Sequence, residues 1–64
     1  MPIEQELVRR QRAGSRIFSL LEAARIAEVA NACGDTVIAD AELALVQQLC
    51  GEARVLLGGD GDGS

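Results

Sequence analysis

The densest set of groups able to do chemistry lies between Asn31 and Glu42. Laid on a twelve-residue calcium loop, Asp35 falls at the fifth position, Ile38 at the hydrophobic eighth and Glu42 at the closing twelfth. The remaining positions do not suit the ion. Asn31 is a weak first ligand, Cys33 offers a soft sulfur at the third, and Thr36 stands where the sharp turn needs glycine. The same residues read more simply as a corner between helices. Gly34 ends the first helix, Asp35 and Thr36 turn the chain, Val37 and Ile38 tuck into the end of the core, and Asp40 caps the next helix. Glu42 then complements the dipole in its first turn. No calcium site is expected. Cys33 and Cys50 do not form a CxxC pair, and the chain has no histidine, so no zinc site is expected either. A chain that turns near residue 37 places Cys50 opposite the middle of the preceding helix. That is too far from Cys33 for a disulfide, and two reduced, half-buried thiols are expected.

Arg9, Arg12 and Arg16 recur at i, i+3 and i+7 and share one helical face, with Arg10 nearby. Such a stripe suits phosphates or an acidic protein surface. The competing reading is a solvated face with Glu6–Arg10 and Glu22–Arg25 pairs. The acidic second half and the lack of stacking aromatics count against nucleic acid. No histidine, glycine-rich phosphate loop, paired carboxylates or nucleophile elbow is present, so neither catalysis nor a cofactor is expected.

Elements must position these groups, and the pattern is all-α. Helix formers without proline run from Ile3 to Cys33, and Ile17, Leu20, Leu21, Ala24 and Ala27 fall in one stripe about 100° wide. Beside it lies a row of Leu7, Phe18 and Val29 spaced by eleven residues, about three turns. Phe18, the one aromatic, is either core at an intersubunit contact or an exposed anchor for a partner. "AGS" at 13–15 weakens the first helix, which is either continuous or hinged at Gly14; the continuous form is preferred. A second helix is expected from about Ala41 to Leu57. Leu43, Val46, Cys50, Ala53 and Leu57 make a two-heptad seam there, widened by Leu45, Leu49 and Leu56. The reading is a helical hairpin over residues 1–57, with a long first helix, a corner at 34–40 and a shorter second helix. A disordered Gly/Asp tail follows over 58–64.

Eighteen large apolar side chains (eight Leu, five Val, four Ile, one Phe) in 64 residues are too many to leave in water and too few to close a core in a lone hairpin. A homodimer forming a four-helix assembly is expected. The net charge of −4 is unevenly spread. Residues 1–25 carry five Arg against Glu4, Glu6 and Glu22, and residues 26–64 carry Arg54 against seven acids. No apolar run is long enough for a membrane span, and "MPIEQELVRR" is not a signal peptide, so a cytoplasmic chain is expected.

A helix ending in a corner, a second helix and an acidic glycine-rich tail resemble the Rop family of plasmid copy-number regulators. The local echoes are Leu20-Leu21-Glu22 and "ARVLLGGDGDG" from Ala53. The resemblance implies an antiparallel four-helix dimer and binding of RNA kissing loops. Arg12 stands where the family's RNA-contacting Phe would be, two turns before Leu-Leu-Glu. The family's Lys, Asn and Gln contacts have no counterparts. The chain is also similar in general form to small phage-encoded inhibitors of host regulators and to small secretion chaperones. The functional expectation is a protein-binding regulator that sequesters or inhibits a larger protein, such as a transcription factor. A Rop-like RNA binder and a secretion-type chaperone or adaptor are the alternatives. Arg9, Arg12, Arg16, Leu7, Phe18 and Val29 are the candidate partner contacts.

Overall fold

The computed structural model describes residues 3–58, with side chains from residue 4 onward, and contains two helices: α1 (Ile3–Ala32) and α2 (Thr36–Leu56). Helix α1 begins with Glu4 and Glu6 in its first turn, where carboxylates complement the positive end of the dipole. It runs unbroken through Gly14, so the weak point at 13–15 is neither a hinge nor a break.

The corner is tighter than the sequence suggests. Gly34 adopts a left-handed φ of +83°, and the Asp35 N–H donates to the Ala30 carbonyl at 2.8 Å while the Gly34 N–H donates to Asn31 at 3.1 Å. This pair of bonds is a Schellman ending, which satisfies the last carbonyls of α1 and reverses the chain within two residues. Asp35 then caps α2, its Oδ1 accepting from the Ile38 N–H at 3.1 Å. The corner therefore occupies 33–35 rather than 34–40. Asp40 is not a cap but lies inside α2, and Glu42 sits beyond its first turn. Val37 and Ile38 are exposed instead of filling the end of the core, because α2 has already begun and its first turn points them outward. Residues 36–42, which a calcium loop would wrap round an ion, are helical. Arg54 lies in the last turn of α2, and Gly58 closes it with φ +78°. The tail from 59 to 64 lies outside the described residues.

The helices meet along two series of inward positions. On α1 these are Ala13, Arg16, Leu20, Ala23, Ala27 and Ala30, and on α2 Ala39, Glu42, Val46, Leu49, Ala53 and Leu56; each is buried or half-buried. Both series repeat at alternating steps of three and four, the spacing of a coiled-coil seam. Paired outward from the corner, they set Ala30 opposite Ala39 and Ala13 opposite Leu56. The Arg16–Glu52 contact near the open end agrees with this register. Alanines on both edges let two helix backbones approach closely. About ten residues at the start of α1 extend beyond the end of α2.

The seam read from the sequence thus divides. Ala27, Leu49 and Ala53 are buried in the hairpin, and Leu20, Ala24 and Val46 are half-buried. Ile17, Leu21, Leu43, Cys50 and Leu57 are exposed on one flank. The two helices form a slab measuring 48 × 23 × 10 Å, one helical layer deep.

Candidate functional site

The hairpin presents two broad faces and the back of each helix. On one broad face, next to the inward series, α1 places Ile17, Leu21 and Ala24, and α2 places Leu43, Cys50 and Leu57. From 14 to 24 on α1 and from 43 to 50 on α2 no charged residue occupies the positions of this Leu21 face. Its charges lie further out, with Arg10 and Arg54 toward the open end and Glu28 and Asp40 toward the corner.

The opposite face is mixed. Near the corner it is apolar, with Ile26, Val29, Cys33 and Ile38 lining a shallow groove. Toward the open end it is polar. Arg16 Nε donates to Glu52 Oε1 at 2.8 Å, and Gln48 Nε2 donates to Glu52 Oε2 at 3.1 Å. These two donors, Gln48 first and Arg16 second, hold the Glu52 carboxyl below its ordinary range. The network was not anticipated from sequence, although Gln48 and Glu52 stand four apart and Arg16 falls on the inward repeat.

The sequence-derived candidates separate in space. The row of Leu7, Phe18 and Val29 does not share one face: Phe18 lies on the back of α1, turned away from α2, whereas Val29 lines the corner groove with Ile38 of α2. Phe18 is 64% exposed at the rim of a shallow depression shared with Leu21, Glu22, Arg25 and Ile26. The arginine stripe points the other way, along the side of α1 that faces α2. Arg16 is consumed by Glu52, whereas Arg9 and Arg12 lie past the end of α2 with Glu4, Gln5 and Val8. Arg25 pairs with Glu28 at 3.6 Å rather than with Glu22, and both side chains are largely exposed. Cys33 and Cys50 are free and both exposed, not half-buried as the sequence suggests. Among the described residues no cluster of three or more His, Cys, Asp or Glu is placed to hold a metal ion, and no helix is long and apolar enough to cross a membrane.

The arrangement offers apolar side chains in water, ringed by charge, on a rigid helical support. Among the described residues Leu49 is the one large apolar side chain that is buried. A two-helix hairpin is the architecture that the Rop resemblance implies, and the likeness rests on that architecture alone. Comparison with protein-family models, characterised proteins and solved structures returns no match.

Proposed function

We propose that the chain is a small, non-catalytic regulator that acts as a homodimer and binds a larger protein, sequestering or inhibiting it. A transcription factor is the kind of target that fits, and a phage or mobile element the kind of source. The observation that carries the reading is Phe18, exposed on the back of α1 beside apolar Ile26 and charged Glu22 and Arg25. An aromatic anchor with an apolar surround and a charged rim is the usual anatomy of a protein-binding hot spot. Isolated exposed apolar residues need no explanation, but Phe18 and Ile26 line one depression on the same helix.

Tagged wild type, Phe18→Ala and an Arg9→Glu/Arg12→Glu variant test this, each first shown to keep its helicity and association state. Arg16 is left in place because it holds Glu52. The proposal expects a protein that wild type captures in stoichiometric amount and that Phe18→Ala loses. Capture of a structured RNA, released by the arginine variant and by moderate salt, would replace it with the Rop-like reading.

A further inference from the structure

We infer that the Leu21 face is the self-interface, and that a second copy lies on it antiparallel, with its corner over the first copy's open end. This deepens the homodimer part of the proposed function and rests on it. The first support is thickness. A slab 10 Å deep is one layer of helices, whereas a stable core needs two layers facing each other. A second support is area. A face about 31 Å long by roughly 20 Å wide buries on the order of 1,300 Å² over both partners, within the range of stable interfaces.

The choice of face follows from charge. The Leu21 face carries Ile17, Leu21, Leu43, Cys50 and Leu57, with no charge over its middle, from 14 to 24 on α1 and from 43 to 50 on α2. The opposite face is crossed by the Arg16–Glu52 pair, which a covering chain would have to desolvate.

The orientation follows from charge as well. Around the open end stand Arg9, Arg10, Arg12, Arg16 and Arg54 against Glu4, Glu6 and Glu52; around the corner stand Glu28, Asp35, Asp40 and Glu42 against Arg25. Among the described residues each hairpin is thus positive at the open end and negative at the corner. On the rim of the Leu21 face itself, Arg10 and Arg54 lie at the open end, and Glu28 and Asp40 toward the corner. Antiparallel stacking brings opposite signs together at both ends, and parallel stacking brings like signs together. In the antiparallel arrangement α1 lies over α1 of the partner, and Leu21, near the middle of the shared length, meets its own counterpart near the two-fold axis.

Single-cysteine chains test the face and the orientation. In a Cys33→Ser/Cys50→Ser background, Leu21→Cys should give a disulfide-linked dimer under mild oxidation, and Leu45→Cys, near the middle of the opposite face, should not. Sedimentation of the unlinked background chain is measured alongside. A dimer that links through Leu45→Cys overturns the choice of face, and a dimer that links through neither position overturns the orientation; in both cases the homodimer stands. A monomer throughout the micromolar range overturns the inference together with the homodimer.

Discussion

The fold alters the chemistry of the Glu52 carboxylate, and the direction of the alteration can be tested by titration. With Gln48 and Arg16 both donating to it, its folded pKa lies below the value of 4.5 it would otherwise have. A depressed carboxyl contributes stability above its unfolded pKa and loses it as pH falls through the folded one. The network should therefore be intact at neutral pH and lost in acid. Side-chain NMR should find Glu52 titrating below the ordinary glutamate range, and Arg16→Ala or Gln48→Ala should each move it upward. Titration at an ordinary value in the wild type would contradict the network. Glycine gives a second residue-scale expectation. Gly14 and Gly51 are helical without positive φ, and a β-carbon at either meets nothing within 4 Å. Gly14→Ala and Gly51→Ala should each stabilise by about 0.4–1 kcal/mol and raise Tm. A lower Tm for Gly14→Ala alone would place another chain's backbone against that turn. Arg16 shows why the site was only half legible in sequence. Its place in an arginine stripe is visible from spacing, but its partner lies 36 residues away on another helix. Nothing local distinguishes it from Arg9 and Arg12.

The corner is where element boundaries were decided by backbone chemistry rather than by apolar periodicity. Two aspartates, Asp35 and Asp40, compete on paper to cap α2, and the seam read from Leu43 onward favours the later one. The chain uses the earlier, because Gly34 at φ +83° reverses direction at once and delivers Asp35 to the Ile38 N–H. Val37 and Ile38, β-branched residues that do not favour a helix, are carried into it by the cap that precedes them. Asp35→Ala should then cost about 1 kcal/mol, while Asp40→Ala should be close to neutral. Gly34→Ala should cost about 1–2 kcal/mol for its left-handed backbone. Thermal melts of the three variants rank them; an Asp40→Ala loss larger than that of Asp35→Ala would restore the later start. The number of helices and the length and end of the first were readable from proline-free helix formers and Gly34, but the pattern places the start of the second too late. The seam was not readable. A search for the most apolar stripe finds Ile17, Leu20, Leu21 and Ala24, which straddle two faces. The hairpin closes instead on the small residues Ala13, Ala23, Ala27 and Ala30, where helices come closest, and leaves the bulky side chains for another layer.

For the whole molecule, the sorting of side chains leads to one expectation about association. The hairpin buries alanines and a single leucine, while Ile17, Phe18, Leu21, Leu43 and Leu57 are each more than 40% exposed. Alanine burial removes little area from water, so intrachain packing alone gives little against the entropy of ordering two helices. Ile17, Leu21, Leu43 and Leu57 offer recoverable apolar area on the Leu21 face, and a large share of the folding free energy should accompany its burial by a second copy. Stability would then follow mass action, with Tm rising as protein concentration is raised across the micromolar range. Leu21→Asp puts a carboxylate at the middle of that face, where it must be desolvated for the dimer to form, and should abolish association and helicity together. Phe18→Asp, one turn away on the back of α1, is the matched control, since its side chain stays in water whether or not the Leu21 face is covered. It should leave the dimer and its melt unchanged while abolishing capture of a protein partner. The pair separates folding from function on a single helix. Should Phe18→Asp dissociate the dimer as fully as Leu21→Asp does, the back of α1 would belong to the self-interface, and Phe18 would no longer be free to anchor a target.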